Sequence, residues 1–289
     1  MLNSFPAKIL LLGEYTILNG SRALALPYPE LGGNWSFEDT GSAERESSRR
    51  SLLDFISRNW EGLLETKKLA EDFKKGLWFS STIPQGFGLG SSGALVAALY
   101  DRYALQKGTD MGAKMVLARL EAHFHGASSG LDPYVSLVQK PLLIQSFEEV
   151  QTLAAPLDLS GFFLVNTGKP RQTGPLVAIY QEKLKDPEFK QGCVEVLTKD
   201  VNFAVDAIVG RKTQALSHHL WHISKSQWDF FPEMIPTQLR GHWTRGIETG
   251  DYVLKLCGAG GGGFLLGYSE KLSFDQMREI FNQFETRKL

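Results

Sequence analysis

Apolar and polar positions along this 289-residue chain switch between strand-like and helix-like spacing, and each switch marks an element. Residues 8–12, Lys8 followed by the apolar run 9–12, read as a buried strand that stops at Gly13-Glu14. A second strand is expected after the Asn19-Gly20 turn, over residues 23–26. Residues 39–50 (DTGSAERESSRR) are polar and read as a loop. Leu52, Leu53, Phe55, Ile56 and Leu63 then recur at helical spacing over residues 51–63. Residues 77–83 read as a strand. Leu95, Val96, Leu99, Tyr103 and Leu105 give a helix over residues 92–106 its buried face. Another helix is expected over residues 111–124, and strand-like segments over 134–144.

A second unit is expected from about residue 153, so that residues 1–152 and 153–289 form two domains. It opens on a strand at 161–166 and continues through helices across 174–243. Strands at 253–257 and 264–268 then flank a glycine run at 258–263, and a final helix starts at Ser273. Both halves have an α+β pattern.

Composition narrows the class. Hydrophobic residues make up 43% and charged residues 22%, as in globular enzymes. The net charge of −1 gives no global field to capture nucleic acid or an anionic membrane, so any anion site is built locally. Two cysteines, Cys193 and Cys257, make no disulfide framework and fit a reducing compartment. No apolar stretch approaches the ~20 residues of a membrane helix, and the start has no signal-peptide pattern. The expectation is a cytoplasmic protein acting on a small molecule, without nucleic-acid or membrane partners.

Residues 84–94, PQGFGLGSSGA, carry the strongest chemical signal. Gly86, Gly88, Gly90 and Gly93 let the backbone adopt positive φ and bring its N–H groups close to a ligand. The helix that follows adds N-terminal donors and the positive end of its dipole. Together they point to a phosphate-bearing ligand, with the Ser92 hydroxyl placed to meet a metal between phosphates. A tight turn with an N-cap explains the same letters. Two familiar nucleotide patterns are incomplete. The G-x-G-x-x-G of Gly88, Gly90 and Gly93 needs an acidic residue at the end of a strand about 20 residues on, and Asp110 lies in a turn-like segment. A Walker loop needs a lysine that these glycines lack. Farther along, His218, His219 and His222 form a secondary metal candidate.

Three separated segments then matter together. Pro6-Ala7-Lys8 precedes ILLLGEY. The glycine loop is followed by Glu121 and by SSGLD at 128–132. KLCGAGGGGF spans residues 255–264. This set and order resemble the GHMP kinase superfamily, small-molecule kinases for galactose, homoserine, mevalonate and phosphomevalonate. LEAHFHGASSGLD at 120–132 and NTGKPRQTGPLVA at 166–178 are most similar to the mevalonate-phosphorylating branch.

The resemblance implies a two-domain α+β GHMP kinase fold. Its N-terminal domain would be ribosomal-protein-S5-domain-2-like and its C-terminal domain ferredoxin-like, with the active site in the cleft between domains. It also implies ATP and Mg²⁺. Asp132 would be the general base for the acceptor hydroxyl, and Lys8 would stabilise the negative charge that develops. Ser92 and Glu121 would ligate Mg²⁺. Pro84, Gly86, Gly88, Leu89, Gly90, Ser91, Ser92 and Gly93 would hold the nucleotide phosphates. Glu14, Tyr15, Arg171, Thr173, Gly258, Ala259 and Gly260 would line the substrate, and the protein would be a monomer or homodimer.

Such residue types suit phosphoryl transfer, which needs positioning, charge neutralisation and a group to orient the nucleophile. Hard oxygen donors suit Mg²⁺. The chain departs from the branch at Tyr15, where His is usual, at Gly93, where Ala is usual, and at Pro133-Tyr134, where Asn-Ala is usual. The alternatives are a sister kinase acting on phosphomevalonate, a sugar or homoserine, a non-catalytic regulator on the same fold, and a Rossmann oxidoreductase.

Overall fold

The computed structural model describes residues 4–37, 43–60, 62–211 and 213–289. In chain order the elements are β1 (Phe5–Leu12), β2 (Ala23–Phe37), α1 (Ala43–Asn59), α2 (Thr66–Lys74), β3 (Leu77–Ser81), α3 (Ser91–Tyr103), α4 (Met111–His125), α5 (Leu131–Val138), β4 (Leu142–Ile144), β5 (Val150–Thr152) and β6 (Phe162–Asn166). They continue with α6 (Thr173–Lys183), α7 (Pro187–Phe189), a π-helical stretch (Lys190–Glu195), α8 (Val196–Val209), α9 (Leu216–Phe230), α10 (Arg240–Thr249), β7 (Val253–Leu256), β8 (Phe264–Tyr268), α11 (Phe274–Ile280) and β9 (Thr286–Lys288).

The chain divides into two compact units, neither of them continuous in sequence. The first comprises residues up to Lys8, Pro27–Pro84 and Leu89–Gln139. There the far half of β2 pairs antiparallel with β3, from Gly33 opposite Ser81 to Phe37 opposite Leu77. Val96, Leu99 and Tyr103 of α3, Leu117 and Leu120 of α4, and Val135 of α5 are buried in its core. Gly93 lets α3 lie directly on the start of α5, because a Cβ there would come within 2.9 Å of the Asp132 and Pro133 backbone. The Asp110 side chain caps α4 by accepting from the Ala113 N–H at 3.0 Å.

The second unit comprises Ile9–Leu26, Gln85–Gly88 and Lys140–Leu289. The start of β2 pairs there with β4, and β4 with β5, both antiparallel. A separate antiparallel sheet has the order β7-β8-β6-β9. Leu254 and Leu256 of β7, Leu220 and Ile223 of α9, and Trp243 of α10 are buried. Ser273 starts α11 with a reciprocal cap: its hydroxyl accepts from the Gln276 N–H while the Gln276 side chain accepts from the Ser273 N–H.

Three sequence expectations need correction. Residues 43–50 belong to α1 rather than to a loop, and residues 39–42 lie outside the described residues. Alanine, glutamate and arginine are good helix formers, and Glu46, Ser47, Ser48 and Arg50 are exposed, so polarity marked a solvent face. Residues 134–138 are helical rather than strand-like, because α5 buries Tyr134 and Val135 and packing overrides their β propensity. Finally, β2 runs on past residue 26 to Phe37 through two prolines and two glycines. Among the described residues no helix is long and apolar enough to cross a membrane.

Candidate active site

In the first unit, Lys8 and Asp132 form an ion pair, Nζ to Oδ1, at 2.8 Å. Lys8 sits on β1, a strand whose alternation is lost because nearly all of it is buried. Asp132 lies in the first turn of α5, where the helix dipole favours its negative charge. The lysine side chain is only 9% exposed while that of Asp132 is 36% exposed, so the carboxylate is the member open to an incoming group. Lys8 N–H donates to the Leu89 carbonyl at 2.8 Å, which holds the second half of the glycine loop against β1. Gly90 lies against both members of the pair: a Cβ there would be 3.4 Å from Lys8 and 3.5 Å from an Asp132 carboxylate oxygen. Pro84, Ser91 and Ser92 are half-buried, whereas Leu89 and Gly93 are buried.

Beside this pair stands Glu121 of α4, 4% exposed. Ser92 Oγ donates to its Oε1 at 3.3 Å and Ser128 Oγ to its Oε2 at 2.5 Å. The Ser128 oxygen in turn accepts from the Gly130 N–H at 2.9 Å. Burial pushes the Glu121 carboxyl up to about 7, and the nearby Asp132 charge adds to the rise; Ser128, Lys8 and Ser92 act against it. A buried carboxylate facing a hydroxyl and a second carboxylate is a hard-oxygen donor set whose charge a divalent cation would compensate. Ser92 and Glu121 therefore fit Mg²⁺, which takes few protein ligands and completes its shell with water and phosphate oxygens.

The second unit holds the other half of the predicted set. Gln85–Gly88 belongs to it, with Gly86 and Gly88 at φ +79° and +77°. The Arg171 N–H donates to the Gly86 carbonyl, and its guanidinium donates to the Cys257 carbonyl, each at 2.8 Å. A Cβ on either Gly88 or Gly258 would collide with that guanidinium, so the two glycines make room for one arginine. Thr173 is exposed at the start of α6.

Glu14 and Tyr15 reach the same segment. Lys255 Nζ lies 2.5 Å from Glu14 Oε1 and also donates to the Leu256 carbonyl at 2.7 Å. Both side chains of this pair are almost fully buried. Burial raises the Glu14 carboxyl, opposed by the Lys255 charge. The Tyr15 hydroxyl donates to the Ala259 carbonyl at 2.6 Å. Its ring stacks on Phe231, with 5.5 Å between centroids, and meets Tyr180 at 4.8 Å. Tyr15 has φ +62° and ψ −47°, and Thr16 N–H donates to the Glu14 carbonyl at 2.7 Å. This is a γ-turn of the rare, strained hand. A bulky residue there costs about 1–3 kcal/mol and persists only where its surroundings over-determine it.

Two partners escaped sequence reasoning. Ser128 lies inside the SSGLD segment but was given no role, and Lys255 heads the glycine segment 241 residues from Glu14. The three histidines hold no metal set: His219 Nδ1 pairs with Asp200 at 2.9 Å, and His218 packs on His222. Among the described residues no cluster of three or more His, Cys, Asp or Glu could hold a metal.

Comparison with known proteins defines the class. The family description "GHMP kinases N terminal domain" matches residues 55–140. A mevalonate kinase of Pyrococcus horikoshii is 26% identical, over 91% of this chain and 87% of that protein. L. major mevalonate kinase, solved in complex with R-mevalonate, has a TM-score of 0.67 at 17% identity over 98% of this chain and 90% of that one. Streptococcus pneumoniae phosphomevalonate kinase, solved with phosphomevalonate and AMPPNP, has a TM-score of 0.68 at 17% identity over the whole of both chains. Residues 55–140 thus match the N-terminal domain of the GHMP kinases, and the chain has the α+β fold of GHMP kinase structures. Its curated relatives are mevalonate kinases.

Proposed function

We propose that this kinase transfers the γ-phosphoryl group of ATP to the primary hydroxyl of mevalonate. The observation that carries the reading is the Lys8–Asp132 pair, 2.8 Å apart, with Gly90 of the glycine loop against it and Ser92 and Glu121 alongside. Asp132 accepts the proton of the acceptor hydroxyl as its oxygen bonds to the γ-phosphorus and the bond to the β-phosphate oxygen breaks. Lys8 orients the Asp132 carboxylate and offsets the negative charge that grows on the transferring oxygens. Gly86, Gly88 and Gly90, with the N-terminus of α3, bind phosphate through backbone N–H groups. Ser92 and Glu121 hold Mg²⁺, whose chemistry is to neutralise phosphate charge. Arg171, Thr173 and the 258–260 backbone bind the acceptor, a carboxylate for which the guanidinium is the natural partner.

The choice of mevalonate follows its curated relatives, which are named mevalonate kinases. Arg171 together with Lys169 supports phosphomevalonate as the second reading, because a phosphorylated acceptor needs added positive charge. The test is ADP release from Mg-ATP with mevalonate, phosphomevalonate, galactose or homoserine. Mevalonate is expected to give the highest kcat/KM. Turnover confined to another acceptor would keep the kinase and discard mevalonate.

A further inference from the structure

Glu14 and Tyr15 are adjacent in sequence, and their polar side-chain groups hold the segment that carries the glycine run at Lys255 and at Ala259. The Glu14 carboxylate receives the Lys255 ammonium, and the Tyr15 hydroxyl donates to the Ala259 carbonyl at 2.6 Å. The lysine that precedes the run and the C=O of Ala259 within it are thus held by one dipeptide, more than 240 residues away. That dipeptide is itself rigid. Tyr15 sits in the γ-turn with φ +62°, its ring wedged between Tyr180 and Phe231.

The run that it grips is intrinsically loose. Gly258, Gly260, Gly261 and Gly263 all have positive φ, a region open to many glycine conformers. Farther along, Gly261 N–H donates to the Met234 carbonyl at 2.6 Å and Gly263 N–H to the Lys169 carbonyl at 2.7 Å. The far end of the run is therefore tied by backbone bonds, and the near end by the two side chains.

We propose that Glu14 and Tyr15 are positioning residues. Tyr15 clamps Ala259 through its hydroxyl, Glu14 anchors Lys255 just ahead of the run, and together they preset the glycine run for its ligand. This rests on the reading above that the run binds the acceptor. Strain at a bulky residue is maintained here because three contacts, a carboxylate, a hydroxyl and a stacked ring, over-determine it. A run preset in this way loses less conformational freedom when its ligand binds.

The test uses Tyr15→Phe, which keeps the ring and removes only the hydroxyl, beside Glu14→Gln and the double variant Glu14→Gln/Lys255→Met. Amide hydrogen exchange of the ligand-free protein reads the clamp directly. Tyr15→Phe is expected to speed exchange across residues 257–263 by about two- to tenfold, the equivalent of one hydrogen bond, with α4 unchanged. In steady state the acceptor KM is expected to rise about tenfold while the KM for ATP stays within twofold.

Unchanged exchange over 257–263 in Tyr15→Phe would overturn the clamp. So would faster exchange spread evenly over the second unit, the mark of a merely structural hydroxyl. Glu14→Gln is expected to perturb the run more than the double variant, because it leaves the Lys255 ammonium buried without its counter-charge. If the wild-type protein turns over none of the four acceptors, the substrate reading fails, and the exchange measurement alone decides the clamp.

Discussion

Among the described residues each unit of this kinase buries one glutamate, and the two are handled in opposite ways. Glu14 is closed off: a lysine faces its carboxylate at 2.5 Å, and both members of the ion pair are almost fully buried. Glu121 is left incomplete: two serine hydroxyls contact it, and the nearest carboxylate, Asp132, opposes its ionisation. Burial raises both carboxyl groups, but only at Glu121 does the protein withhold a dedicated counter-charge. The difference separates a carboxylate paired within the fold from one that the proposed function assigns to a divalent cation.

The largest effects should come from breaking the charged pair beside the incomplete site. Lys8→Met should lower kcat about 10²–10³-fold, since it removes a cation placed where charge develops. Thermal unfolding should stay near wild type, and an activity within threefold of wild type would contradict the role.

Next in size is the closed site. Glu14→Gln should destabilise the protein by about 3–5 kcal/mol in urea unfolding, because the buried Lys255 loses its counter-charge. Adding Lys255→Met should recover most of that loss. A single variant as stable as the wild type would show that Glu14 is not the closed member of the comparison.

The incomplete site makes a prediction in pH. Glu121 titrates near 7 in the folded protein against 4.5 for a free glutamate, so without divalent cation the folded state keeps its proton between those values. Its contribution to stability is therefore fully present below pH 4.5 and is lost as pH rises toward 7. The loss is on the order of 2–3 kcal/mol. Glu121→Gln should remove this component from a series of urea midpoints taken between pH 4.5 and 8. An identical slope in wild type and variant would place the titration elsewhere.

Ser128→Ala is the mildest change, about 1 kcal/mol. The serine favours the ionised form of Glu121, so its loss should move the carboxyl midpoint upward. A downward movement, followed by carbonyl-labelled NMR of Glu121, would reverse the assignment.

Much of this was legible in the sequence because it was local. The apolar run at residues 9–12 announced β1, and the spacing of Leu95, Leu99 and Tyr103 announced α3. Ser273 announced α11 through a cap that needs only three residues. Lys8, Asp132, Ser92 and Glu121 were singled out through segments resembling one family, and the fold brings these four together in one unit.

What escaped was non-local or overridden. A lysine at 255 carries no mark of a partner at 14, and Tyr15 gives no sign of a strained γ-turn, since both depend on contacts across more than 240 residues. The polar start of α1 looked like a loop because exposure and disorder share a composition. Tyr134 and Val135 looked like a strand because their burial on a helix face follows from tertiary packing.

The most direct test of the central claim is a rapid-quench single turnover with Mg-ATP and mevalonate, comparing wild type with Asp132→Asn. If Asp132 takes the acceptor proton, the phosphoryl-transfer rate falls about 10²–10⁴-fold while mevalonate binding changes little. A transfer rate within threefold of wild type would show that the hydroxyl loses its proton without Asp132, and the assignment of the base would be wrong.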